Sequence, residues 1–408
     1  MGQPPAPQAS AWRTPLVVIV AGCAIALIGF GIRSVFGFFL EPMTLERGWD
    51  RETYSIALSV QNLLWGLCVP IAGALADRFG PTRVIVAGAL VYALGTWGMS
   101  VAESGSALVL TAGLLVGVGV AFTAFSIALA SMARVVAREQ RSFVLGLGTA
   151  AGSFGQVVFS LFGQGAISLL GWQDALLALA ASAFAIIPLA FVLPRASSAV
   201  GEAAFEQTLA AALREAAAHR GFVLLTLGFF VCGFQIAFVT VHFPAYIADL
   251  GLSPWVAAWA WLLVGGCNIA GCLAAGMAGQ RWRKRSGLAA IYFARTIVIV
   301  ALLAAPKTAL TFYLFAIGLG FTWLATVPPT AGVVGKLFGT RYLATLFGLT
   351  LLSHQTGAFF GAWLGGIAFA ELGNYNWMWY ADIVLAALAA LLNLPIREPR
   401  IVAVLKPA

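Results

Sequence analysis

The stretch GALADRFGPTR, Gly73 to Arg83, packs an acid, two arginines, two glycines and a proline between two long apolar runs. Glycine and proline punctuate helices, and charge is costly in hydrocarbon. The stretch therefore reads as a short polar turn joining two membrane-crossing helices. A second stretch, GMAGQRWRKRS from Gly276, follows at an offset of 203 residues, matching at Gly73/Gly276 and Arg78/Arg281. LGL at 145–147 and FGL at 347–349 repeat at an offset of 202. Two concordant offsets predict a duplicated chain, the layout of transporters whose substrate site lies between repeats.

Composition agrees with membrane burial. The 408 residues are 61% hydrophobic and 9% charged, with a mean hydropathy of +0.94, whereas soluble domains carry roughly 25% charged residues. Apolar runs near 15–40, 52–76, 84–102, 106–133, 142–170, 173–193, 221–248, 255–279, 287–305, 308–335, 342–370 and 375–396 are long enough to cross as helices and too long for barrel strands. The expected fold is an all-α membrane protein with twelve transmembrane helices in two pseudo-symmetric six-helix bundles. Its expected units are 1–193, a linker at 194–220 with an amphipathic helix at the membrane surface, and 221–408. The run after the Pro- and Ala-rich first 14 residues is too long for a signal-peptide core, so it is expected to remain as the first span.

Charge sets the orientation. With the amino terminus inside, 18 of the 23 Lys and Arg fall on the inner side, 3 on the outer, and Arg33 and Arg295 within spans. The positive-inside rule then puts both termini in the cytoplasm, with the protein integral to the plasma (inner) membrane. The net charge of +8 follows from that topology, and no nucleic-acid partner is expected. The five cysteines lie in apolar runs without a CxxC pair and read as packing residues. No catalytic constellation, metal set or nucleotide loop is present in the sequence, so neither an enzyme nor a cofactor is expected. Glycine strings such as GLGTAAGSFG lie inside an apolar run, where they serve close helix packing.

The turn at Gly73, with Asp77, Arg78, Gly80 and Arg83, resembles the signature loop of the major facilitator superfamily, and the resemblance covers essentially the whole chain. It implies the major facilitator fold, with Asp77 and Arg78 in a charge relay that latches the two halves; Gln280 replaces the aspartate in the second copy. IRSVFGFFLEPM from Ile32 and FVLGLGTAAGSFGQ from Phe143 resemble the first- and fifth-span signatures of monocarboxylate transporters, which place a lysine where Arg33 stands. Bacterial members of that clan, including oxalate-formate exchangers, carry small organic anions. These carriers also place an arginine in the eighth span, four residues after an Asp or Asn, where this chain has Cys272 after Asn268. In the eleventh span, where oxalate exchangers carry a lysine, stands His354.

Two readings of Arg33 stand open. Its head could snorkel to the outer interface from about 7 residues inside, or offer paired donors to a carboxylate. His354 is either a packed structural histidine or a cavity group that binds an anion and takes up a proton. Asn62, Asn268, Gln355, Gln156 and Tyr313 complete the expected substrate-binding set, because their spans surround the cavity in the resembling family. Arg295 is expected to bind carbonyls or lipid head groups, and no ion pair is assigned between it and Asp382. The expected function is secondary active transport of a small monocarboxylate or dicarboxylate, by proton symport or anion exchange, in a monomer whose partners are the carboxylate, protons and the bilayer. The alternative is efflux of drugs or other small molecules by the same fold.

Overall fold

The structure, a computed structural model, describes residues 14–136, 141–194, 208–338 and 343–398. Every regular element among these residues is helical. Ten segments, from Pro15–Arg47 to Ala309–Phe338, are long and apolar enough to cross a membrane. Two further long helices, Leu343–Leu372 and Asn376–Asn393, follow them, an arrangement consistent with twelve passes. The described chain thus begins and ends at one end of the bundle; the opposite end is called distal below. The expected linker falls partly on residues 195–207, outside the described residues, but Leu209–Ala218 is a helix that buries Ala212 and Ala216, one turn apart, and exposes most of its other side chains.

Apolar surface gives no drive for helices to associate in lipid, so small residues that allow close backbone approach must do that work. The first and fifth spans meet at Gly155, where a Cβ would strike the Leu27 carbonyl. The seventh and eleventh spans meet at Gly357, where a Cβ would strike the Phe230 carbonyl. Gly155 to Gly357 is an offset of 202 and Leu27 to Phe230 one of 203, the same offsets that relate the sequence repeats. Gly233 and Gly361 extend the second contact, against the carbonyls of His354 and Phe234. This contact fixes the height and rotation of His354.

The fourth and sixth spans are interrupted, at Thr123–Ala124 and at Ala185, and two further spans, the first and the tenth, have breaks repaired by side chains of other spans. The first span runs as an α-helix over Pro15–Ser34, turns at Val35, and continues as the 3-10 segment Phe36–Phe39 and the helix Leu40–Arg47. The carbonyls freed there are satisfied by Trp261 Nε1, which donates to Ser34 O at 2.8 Å, and by the Tyr54 hydroxyl, which donates to Phe36 O at 2.6 Å. The tenth span breaks between Ala309–Thr322 and Val327–Phe338, just ahead of Pro328 and Pro329. Arg295 Nη2 donates to the carbonyls of Thr322 at 2.5 Å and Trp323 at 2.6 Å, and Leu324 N donates to Asn268 Oδ1 at 3.0 Å. Irregular backbone at membrane depth survives only when its polar groups are re-satisfied in this way.

At the terminal end of the bundle, Lys336 donates to Glu398 Oε2 at 2.6 Å and the backbone N of Arg285 donates to Glu398 Oε1 at 2.7 Å. Partial burial works to raise the Glu398 pKa, but these two hydrogen bonds outweigh it and hold the carboxyl below its ordinary value. A depressed carboxylate stabilises the fold above its unfolded pKa and loses that contribution as pH falls through the folded value. Thermal unfolding in detergent should therefore show an acid-side loss of stability that is smaller in Glu398→Gln, while the wild type is the more stable of the two near neutrality. Gly357→Leu should overpack the seventh–eleventh span contact and cost about 1–3 kcal/mol, read as a lowered unfolding temperature; an unchanged one would mean the two backbones are not in contact.

Candidate functional site

A cavity of about 260 Å³ lies between the first six spans and the last six. Its wall is largely apolar and aromatic, with Phe30, Trp65, Phe229, Trp323 and Phe347 among the lining residues. Among the described residues its charged lining group is Arg33, and no Asp or Glu lines it. Arg33 sits on the last turn before the break at Val35, and its side chain meets Asn62 and Trp65 of the second span. Arg33 Nη1 donates to Asn62 Oδ1 at 3.3 Å, and the guanidinium carbon stands 4.4 Å from the Trp65 ring centroid and 5.4 Å from that of Phe30. Its Nε has no hydrogen-bond partner. The side chain therefore turns inward to the cavity instead of snorkelling. A guanidinium held by one amide and two aromatic faces keeps donors free for a carboxylate.

His354 lines the same cavity with its ring 4.8 Å from Phe229, and its Nδ1 lacks a partner. Gln355 lines it as well, with both amide atoms unpartnered and its stem pressed against Gly66 of the second span. Asn62 also donates from Nδ2 to Leu58 O at 2.8 Å, which aims its oxygen at Arg33. Thus Arg33, Asn62, His354 and Gln355 surround one space.

The other expected binding residues are placed elsewhere. Asn268 is fully buried behind the wall: its Oδ1 accepts from Leu324 N, and its Nδ2 donates to Ser153 Oγ at 3.0 Å. The break in the tenth span consumes the amide that the sequence assigns to substrate. Gln156 lies one turn past Gly152 and Ser153, beyond the cavity toward the distal end. Tyr313 belongs to the distal segment of the tenth span and packs against the hydrophobic core. Sequence reasoning missed the aromatic lining, because an apolar side chain facing a cavity carries the same sequence signal as one facing lipid.

The turn at Gly73 is present as a tight connection. Gly80 adopts φ 90°, a conformation that suits glycine, between the helices Arg51–Phe79 and Pro81–Val101. Arg78 is exposed with its guanidinium 5.1 Å from the Phe79 ring, Arg83 is exposed, and open space surrounds Gly73. The side chains of Asp77 and Gln280 lie outside the described residues, so the structure places only the turn and not the relay.

A different set of polar contacts joins the two groups of six spans. Arg51 forms a two-pronged ion pair with Asp249, at 2.6 and 2.5 Å, and donates to the Tyr375 hydroxyl at 2.8 Å while stacking 3.7 Å over Phe369. Ser55 Oγ meets His242 Nε2 at 3.4 Å, and Trp363 Nε1 donates to Glu52 at 3.3 Å. These lie at the distal end. Among the described residues, the side-chain hydrogen bonds crossing between the first six spans and the last six are confined to the distal end and mid-depth. The cavity is thereby sealed on its distal side.

A cavity between two helical bundles, sealed at one end by polar contacts, defines a membrane transporter. The chain belongs to the major facilitator superfamily: the family model of that description matches residues 21–362. It is 27% identical to monocarboxylate transporter 13 of Rattus norvegicus over 93% of this chain and 88% of that one. It is 25% identical to monocarboxylate transporter 11 of Homo sapiens, over 92% and 80%. Its fold is shared with a bacterial homologue of the human lysosomal transporter Spinster, solved in an inward-facing and occupied conformation, with a TM-score of 0.74, 16% identity and coverage of 92% and 95%.

Removing the Arg51 guanidinium should loosen the distal end. A Ser55→Cys reporter, placed at a buried position of that contact, is expected to react with a polar maleimide about tenfold faster in Arg51→Ala than with Arg51 intact, in detergent-solubilised protein; this corresponds to losing roughly one charge-assisted hydrogen bond. Equal labelling would show that the ion pair does not hold the end closed.

Proposed function

We propose that this protein is a secondary active transporter of small organic anions, working by alternating access, and that monocarboxylates with an apolar body suit it best. The observation that carries the reading is Arg33: a guanidinium with donors to spare, on the wall of an apolar cavity that no acid among the described residues lines. A carboxylate would meet paired donors at Arg33 and a further hydrogen bond from His354, while its carbon body would lie against Trp65, Phe229 and Trp323. One fixed cation suits a single carboxylate better than two. The carriers named monocarboxylate transporters that align with nearly the whole chain support the same class.

Access would alternate as the first six spans rock against the last six, exchanging the Arg51–Asp249 contact for one at the opposite end, where the turn with Gly73, Asp77, Arg78, Gly80 and Arg83 lies. In this reading 1–193 and 221–408 move as units joined by 194–220, both termini are cytoplasmic, and the protein works as a monomer in the inner membrane. Efflux of lipophilic cations is disfavoured, since a cation would face Arg33 without a carboxylate to hold it.

In proteoliposomes, uptake of labelled pyruvate, phenylpyruvate and oxalate separates the substrate classes. Arg33→Ala is expected to lower uptake of the best substrate about 10- to 100-fold, the equivalent of a charge-assisted hydrogen bond of 1.5–3 kcal/mol, with Arg33→Lys retaining part of it. Unchanged uptake in a correctly folded Arg33→Ala protein would remove the anion site from Arg33.

A further inference from the structure

Behind the cavity wall lies a second charged cluster to which the transport reading assigns nothing. Arg295, in the ninth span, is 1% exposed and fully engaged through its terminal nitrogens: Nη2 serves the two carbonyls of the broken tenth span, and Nη1 donates to Gln235 Oε1 at 3.2 Å and to Cys232 Sγ at 3.4 Å. All four acceptors are formally neutral groups or a thiol. Asp382, in the twelfth span, is fully buried, and neither of its carboxyl oxygens has a hydrogen-bond partner. Gln235 Nε2 donates to the Asp382 backbone carbonyl at 3.1 Å, so one amide ties Arg295 and the Asp382 segment to the same level of the bundle. Among the described residues the two charged side chains form no hydrogen-bonded pair, and Gln235 is the group that links them.

We propose that Asp382 is a proton-binding site whose occupancy, acting through Arg295, couples proton movement to anion binding in the cavity. The inference rests on the proposed anion site. An ionised carboxylate without hydrogen bonds in a dry interior is expensive, and among the described residues Arg295, tied to this segment through Gln235, is the cation placed to compensate it; a protonated carboxyl needs no compensation. Protonation forms one O–H bond on Asp382 and leaves the Arg295 charge unopposed. Trp323 connects that charge to the cavity, because its carbonyl accepts from Arg295 while the residue lines the wall. A carboxylate then binds under two positive fields, Arg33 and Arg295. When the O–H bond breaks and the proton leaves to water, ionised Asp382 cancels Arg295 and anion affinity falls. Each ligand raises the affinity for the other, as reciprocal linkage requires.

The surroundings leave Asp382 as the acid at this level. The spans packed against the twelfth are the ninth, the seventh and the eleventh. At this depth they contribute Arg295 and Tyr292, then Cys232, then His354; His242, Tyr246 and Asp249 of the seventh span lie toward the distal end, with Glu371 of the eleventh, while Lys284 and Arg285 of the ninth lie at the terminal end. Cys232 Sγ accepts from Arg295 Nη1 at 3.4 Å and meets Thr326 Oγ1 at 3.3 Å, which places a thiol beside the cluster.

Two measurements test this. Infrared difference spectra of the reconstituted protein, taken between acid and alkaline pH, should contain a protonated-carboxyl C=O band that is absent in Asp382→Asn and altered in Arg295→Gln. Absence of any such band assignable to Asp382 overturns the proposal whatever the substrate. In proteoliposomes, an inward proton gradient of one pH unit should drive about tenfold accumulation of labelled phenylpyruvate if one proton accompanies each anion. Asp382→Asn is expected to abolish that accumulation while retaining substrate counterflow without a gradient, and Asp382→Glu to restore it in part. Gradient-driven accumulation that persists in Asp382→Asn, or is absent in a wild type with active counterflow, also overturns the proposal. A wild type without counterflow of any tested carboxylate refutes the anion reading instead, and the infrared band still decides whether Asp382 holds a proton.

Discussion

Backbone hydrogen bonding inside the membrane is the constraint on which the rest of this structure depends. A continuous helix satisfies itself, but a broken one exposes N–H and C=O groups that water cannot reach. This chain breaks its first span at Val35 and its tenth at Trp323, then spends Trp261, Tyr54, Arg295 and Asn268 to repair them. The repairs decide which polar residues remain for other tasks. Asn268 is committed to Leu324 and Ser153, while Arg33, on the turn before a break, lines the cavity.

The same repairs hold the two groups of spans together on one side. Trp261 reaches from the eighth span to the first, and Asn268 from the eighth to the fifth through Ser153. Above them the Arg51–Asp249 ion pair and the Ser55–His242 contact complete the seal. A partly buried ion pair gives back much of its Coulombic gain as desolvation, so its net contribution is modest. Such contacts suit a two-state closure better than a permanent fastening, because the open state can repay the loss by solvating both charges.

Much of this was legible in the sequence. Span positions follow from apolar runs, and the Gly73 turn from its charges and glycines. The duplication also recurs in space, where Gly155 on Leu27 and Gly357 on Phe230 repeat at the offsets of the two sequence matches. What stayed hidden depended on contacts between distant spans. Pro328 and Pro329 signal the tenth-span break, but the first-span break has no proline at Val35, and nothing local says that Tyr54 and Trp261 will cap it. Arg51 counted only toward topology, since its partners lie 198 and 324 residues away. The aromatic cavity wall was invisible for a simpler reason: in a chain that is 61% hydrophobic, composition does not separate lipid-facing from cavity-facing surface.

The two intramembrane arginines show how structure divides residues that sequence treats alike. Both are isolated guanidiniums in apolar runs, and both are costly there. Arg295 has its terminal nitrogens saturated by carbonyls, an amide and a thiol, so its protein bonds offset much of the cost of burying it. Among the described residues Arg33 makes a single hydrogen bond, to Asn62, and it rests on Trp65 and Phe30. A buried charge left under-bonded in this way destabilises the empty site relative to a site holding a complementary anion. In the proposed site that difference would favour ligand binding, because an anion would supply at Arg33 the hydrogen bonds that the protein supplies at Arg295. The sequence marks both as expensive; only the count of their hydrogen bonds tells which one has been left incomplete.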